Sequence, residues 1–190
     1  KLNNYIDQTD QVLMELDMDD PSMLQSMTGQ MSMPDGKTLK DYLTNAEYAK
    51  VDEMFKNYLG VSVEQVKTIR PMFLSVIIST SPKSMGCQTP GSYELSLTKT
   101  ATDKKKSIEG LETVALQFEK VDRKPFAVQA KEIYEMALNP EKSINEFREM
   151  IAVYKTQNSE NLYQLITGKL GTDDVEKALL DERNIDWIPK

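Results

Sequence analysis

The amino-acid sequence predicts an α/β fold, predominantly helical with a few short buried strands. Three observations carry this. Apolar residues recur at helical spacing through most of the chain, as in Tyr48, Val51, Met54, Phe55 and Leu59. Helix starts and stops are marked by capping residues, Pro and Gly. Two segments, "QVLMELDM" and "SIEGLET", read instead as short apolar runs bounded by turn formers, the pattern of strands. With 190 residues and 39% hydrophobic content, the chain is expected to form a single domain, residues 1–190, around one sizeable core.

Taken in order, Leu2, Tyr5 and Ile6 predict the last turns of a helix. Val12 to Leu16 follow as a strand, with Glu15 inside it or at its C-terminal end. Pro21 opens a methionine-rich helix, Pro34-Asp35-Gly36 makes a turn, and Thr38 caps the short helix "LKDYL". Thr44 and Glu47 form a capping box, and Gly60 ends the helix they start. Ser62 and Gln65 predict a second box, and Pro71 breaks the path before the buried helix "MFLSVIIST". Residues 81–92, dense in Gly, Pro and Ser, read as a surface loop. "YELSLTKTATDKK" returns as a helix, "SIEGLET" is the second strand, and "TVALQFEKV" is a helix again. Beyond Pro125 the pattern is helical, with caps at Ser159 and Thr172 and stops near Asn139 and Gly168. No fixed-period repeat marks a solenoid. Two strands alone make a marginal sheet. Either the strands are misassigned, or the chain is the middle of a larger α/β domain, as its unfinished first helix and abrupt "IDWIPK" end suggest.

Composition removes several function classes. A net charge of −7 repels a phosphate backbone, so nucleic acid is not an expected partner, and Lys104-Lys105-Lys106 reads as a solvated loop. The chain has no histidine, which excludes His-dependent triads, Cys/His dyads and His-ligated metal sites within it. Its single cysteine, Cys87, permits no internal disulfide and reads as an incidental loop thiol. No apolar run reaches about 18 residues, so no transmembrane segment is expected. There is no glycine-rich phosphate loop, and no nucleophile motif of the GxSxG or SxxK type in a suitable context.

Two carboxylates stand out because each follows apolar residues on a predicted strand: Glu15 in "VLMELD" and Glu112 in "EGLET". A carboxylate at the C-terminal end of a strand faces the crevice where α/β sheets bind ligands, and suits a general base or a hard-metal ligand. The plainer reading makes both ordinary strand-end acids, with Glu112 complementing the dipole of the following helix. In "DERN", Arg183 is able to clamp carboxylates and Asn184 offers a donor and an acceptor, or the segment is a solvated helix face. Met18, Met23, Met27, Met31 and Met33 fill a core or line an adaptable groove.

The collinear order of "DQVLMELDM", "MPDGKTLKDYL", "IRPMFLSVII", "KKKSIEGLETVALQF", "PFAVQAKEIYEMAL" and "LLDERNIDWI" resembles the TraB/GumN family, which includes the Tiki proteases. "GLET" and "ERN" are its most specific pieces. The resemblance implies an α/β fold similar to the erythromycin esterase and ChaN-like proteins, of which this chain would be an incomplete portion. It also implies an extracytoplasmic, metal-dependent hydrolase, of the peptidase kind in the Tiki branch, acting on a peptide or protein. Matched motif by motif, Glu15 and Glu112 become metal ligands or the general base. Arg183 orients a carboxylate or the substrate, and Asn184 completes the Arg-Asn pair or bonds the adjacent backbone. The family's two Gly-x-x-His motifs are absent here. The expectation is therefore that the divalent metal, manganese or cobalt, belongs to a longer parent, with none bound by this chain alone. A degenerate, non-catalytic member is the other explanation. The competing reading is a non-catalytic helical module that binds a protein or peptide, and exposed core surface would favour a homo-oligomer.

Overall fold

The structure, a computed structural model, describes residues 2–169 and 181–188. The expected cap at Thr172 and the apolar Leu180 lie outside the described residues. The fold is predominantly helical with a two-stranded parallel sheet, and its contacts group into two compact units. The first comprises Lys1–Gln30, Pro90–Arg123 and Lys177–Lys190; the second comprises Met31–Thr89 and Lys124–Glu176.

In the first unit, α1 (Leu2–Gln8) buries Ile6 and leads into β1 (Gln11–Met14). β1 pairs in parallel with β2 (Ser107–Gly110), placing Gln11 opposite Ser107 and Met14 opposite Gly110. A parallel pair requires a long crossover, and here the chain leaves the unit after Gln30 and returns at Pro90. Side chains alternate as a pleat dictates: Met14 and Ile108 are buried while Leu13 and Glu109 are exposed. The covered face packs on Ala101 and Leu97, with Val12 and Met18 at its margin. Among the described residues, a helix covers one face of the strands.

That covering helix is α6 (Tyr93–Asp103), capped where the Ser92 hydroxyl accepts from the Leu95 N–H at 3.1 Å. Lys104, expected to be merely solvated, pairs with Asp7. β2 ends sooner than the sequence suggested, at Gly110, and α7 (Val114–Val121) starts at the Thr113 cap, which accepts from the Leu116 N–H at 3.3 Å. Between β1 and the first break in the unit, α2 (Pro21–Met31) begins at its proline and buries none of its residues. Met18, Met23, Met27 and Met31 are half-buried, and only Met33 of that group belongs to a core.

The second unit is a helical assembly of α3 (Asn45–Leu59), α4 (Pro71–Ser79), α5 (Pro82–Met85), α8 (Phe126–Leu138), α9 (Pro140–Lys155) and α10 (Ser159–Lys169). Val51, Met54, Phe55, Leu74, Ile78, Ala130 and Ile133 form its core. The box at Thr44 and Glu47 forms as expected, and Gly60 ends α3 at φ 72°, a left-handed conformation that favours glycine. The second box does not form. Ser62 accepts from the Glu64 N–H at 3.2 Å, and Asp52 accepts from both Ser62 Oγ and the Val63 N–H, so a tight 3-10 turn replaces a helix start. The segment read as a continuous loop contains α5, because Ser81 caps it through the Ser84 N–H; exposed Cys87 follows. Among the described residues no helix is long and apolar enough to cross a membrane.

Candidate functional site

The two candidate carboxylates sit just beyond the paired strands of the first unit. Glu15 follows β1 directly, and Glu112 lies two residues past β2. The chains keep pairing there: the Leu111 N–H donates to the Met14 carbonyl at 2.8 Å and the Glu112 N–H to the Glu15 carbonyl at 3.0 Å. These bonds hold both acids side by side at the carboxyl ends of parallel strands, where α/β sheets bind ligands.

Gly110 makes this approach possible. A Cβ at that position would stand 2.7 Å from the Asp17 backbone nitrogen, 3.0 Å from the Glu112 carbonyl oxygen and 3.2 Å from the Leu16 carbonyl carbon. Without one, the segment leaving β1 closes on the segment leaving β2. The sequence does carry a signal for this, since a glycine at the end of a strand pattern marks close backbone approach.

Arg183, on α11 (Arg183–Trp187), joins the pair. Its Nε donates to Glu112 Oε1 at 2.9 Å, and its Nη2 donates to Glu15 Oε2 at 2.7 Å and also to Glu112 Oε1. Gln117, one turn into α7, donates to Glu112 Oε1 at 2.7 Å and reaches Glu15 Oε2 at 3.4 Å. Glu112 directly precedes the Thr113 cap of α7, which makes the capping bond, while the Glu112 carboxylate is held by Arg183 and Gln117. Asn184 is exposed and stands outside this network of carboxylate, guanidinium and amide.

The two acids differ in setting. The Glu112 side chain is 4% exposed and that of Glu15 is 59% exposed, with the Arg183 side chain at 14% between them. Burial works against the charge on Arg183, but the hydrogen bonds and charges of Glu112 and Glu15 outweigh it and raise its pKa further. The guanidinium also stacks on Trp187, 4.9 Å from the ring centroid. Lys120 Nζ on α7 pairs with Asp186 Oδ2 on α11 at 3.2 Å, and Arg123 Nη1, just after α7, pairs with Glu182 Oε2, just before α11, at 2.9 Å. Gln117 and Lys120 escaped notice in the sequence because only the folded α7 shows which way they point.

Among the described residues no three His, Cys, Asp or Glu side chains come together as a metal-binding group. The two carboxylates already receive a guanidinium, whereas hard divalent cations gather several oxygen ligands. These residues by themselves do not fit a divalent metal. The cluster they do form is an arginine-bridged carboxylate pair on the strand ends of a helix-rich α/β protein. The chain belongs to the TraB/PrgY/gumN family, whose family model matches residues 1–190. No curated protein and no solved structure matches it.

Proposed function

We propose that this protein is part of a hydrolase, of the peptidase kind, in which Glu15, Glu112 and Arg183 form the acidic side of the active centre. The observation that carries the proposal is the convergence of these residues, 168 and 71 positions apart from Arg183, in one hydrogen-bonded cluster. In this reading Glu112 takes the proton of the attacking water, and Arg183 with Gln117 holds its carboxylate in orientation. Glu15, half open to solvent, shares the same guanidinium and faces the incoming substrate. Asn184, exposed and outside the cluster, is given no step in this reading. A divalent metal, manganese or cobalt, belongs to the proposal only for a parent that carries Gly-x-x-His motifs flanking these residues. The family resemblance supports an extracytoplasmic location, which a signal-dependent export assay would test.

Peptide hydrolysis by the full-length parent, with and without added manganese or cobalt, tests the reading. Activity is expected to fall by at least a hundredfold in Glu112→Ala. Activity retained in that variant, or a parent reading frame without either histidine motif, removes the catalytic assignment. A second reading, a non-catalytic module for a protein or peptide, is favoured by α2, which buries none of its residues and leaves Leu24 68% exposed. Specific peptide binding by this chain that needs no metal and is lost on Leu24→Asp would support it.

A further inference from the structure

Next to Glu112 lies a cavity of about 230 Å³, lined by Glu112, Leu116, Lys120, Asp186 and Trp187. Its walls follow from helix geometry. Residues 112, 116 and 120 recur every four positions along one side of α7 and its approach, and α11 supplies the other two. Lys120 is the unusual member. It is only 7% exposed, and lysine is seldom so buried unless its charge is met. Its partner is Asp186 at 3.2 Å, whose side chain is 66% exposed. A pair with one well-solvated member contributes little against the desolvation of the other. Packing energy therefore gives no reason to bury an ammonium here. An ammonium also carries three donors, more than one carboxylate oxygen uses.

We propose that this cavity is a subsite for the acyl portion of a neutral amide. The Lys120 ammonium donates to the carbonyl oxygen, and the apolar side chain beside that carbonyl lies against Leu116 and the Trp187 ring. Size and charge select this class. Sites for drug-sized ligands begin at about 300 Å³, so this one takes roughly a single residue. The lining carboxylates Glu112 and Asp186, with Glu15 beside them, face two cations, Lys120 and the Arg183 bound to both glutamates. One more carboxylate would add to an excess of negative charge, whereas a carbonyl accepts the donor without adding charge. The inference rests on the hydrolase reading only in calling the ligand a substrate, because binding needs no turnover.

Trp187 is the only tryptophan in the chain, so its fluorescence reports on the cavity directly. The chain is titrated with N-acetylphenylalaninamide and with its charged counterpart, N-acetylphenylalanine. A saturable change with the amide is expected, with the acid at least fivefold weaker. Lys120→Met keeps the apolar stem and is expected to weaken amide binding about tenfold, while Lys120→Arg, which keeps a cation, stays within about threefold. Asp186→Asn narrows the gap between acid and amide, an effect that a purely structural pair would not produce. Arg123→Gln removes the neighbouring ion pair, between the residues just after α7 and just before α11, and leaves amide binding within twofold. No saturable response to the amide, tighter binding of the acid, full binding in Lys120→Met, or an equal loss in Arg123→Gln would each overturn the subsite. Hydrolysis that survives Glu112→Ala sinks the hydrolase reading instead and leaves these binding results standing.

Discussion

Replacing Arg183 with methionine would test the central cluster through stability alone. Glu112 is 9% exposed, and the substitution leaves its carboxylate buried with Gln117 still donating at 2.7 Å. Breaking a buried ion pair from one side costs about 3–5 kcal/mol. The retained Gln117 bond and the partial exposure of the Arg183 side chain place the expected loss at the lower end, about 3 kcal/mol. Glu15→Gln removes the exposed partner and is expected to cost no more than about 1 kcal/mol, as for a surface pair. The double variant Glu112→Leu with Arg183→Met removes both charges. It is expected to cost at least about 1 kcal/mol less than the sum of its singles, because neither charge is left stranded. Urea unfolding followed by Trp187 fluorescence reads the unit that holds the cluster, with the midpoint interpreted at constant slope. The reasoning fails if Arg183→Met costs less than about 1 kcal/mol, or if the double variant equals the sum of the singles.

Gly110→Ala places a methyl 2.7 Å from the Asp17 nitrogen, so it is expected to destabilise the first unit by roughly 1–3 kcal/mol and to lower hydrolysis in parallel with Arg183→Met; normal stability would show that the backbone there gives way freely. In the second unit, the hydrogen bond from Lys131 and the backbone N–H of Thr44 bring the Glu47 carboxyl down to about 2 from its ordinary 4.5. A depressed folded-state value stabilises above the unfolded value and is lost as pH falls through the folded one. The stability difference between wild type and Glu47→Gln is therefore expected to be full at pH 6 and to shrink between about pH 4.5 and 2, measured by urea unfolding with far-UV circular dichroism. A difference that stays constant over that range would count against the Lys131 contact.

Much of the local structure was legible because it is governed by neighbours in sequence. Thr44, Glu47 and Gly60 bound α3 through bonds made within one turn, and those cues need no tertiary information. Pro71 breaks the path as expected, and it is also the first residue of α4, where its missing N–H is spared. The misreadings fall where a distant group competes. Asp52, ten residues before Ser62, accepts the Ser62 hydroxyl proton and the Val63 N–H and so ties down the start of the turn, while the Gln65 N–H that a box would give to the hydroxyl goes to the Ser62 carbonyl. For Glu112, the position before a helix start is legible in the sequence, but the partners Arg183 and Gln117 that hold its carboxylate are not. Lys120 falls among the buried Val114, Phe118 and Val121 of α7, where a periodicity argument would call any charge an error.

The sequence by itself determined the helix-rich α/β class, the two strand segments, the absence of histidine chemistry within the chain and the three residues of interest, Glu15, Glu112 and Arg183. These follow from residue type, short-range periodicity and collinear motif order. Only the tertiary structure decided that the strands pair in parallel, that Gly110 lets their ends touch, and that one guanidinium bridges both acids. It also decided that a buried lysine and the lone tryptophan share a cavity with Glu112. The physical reason is range: caps and turns are bonds across a few residues, whereas the cluster is made by groups up to 168 positions apart whose meeting depends on strand register and helix packing.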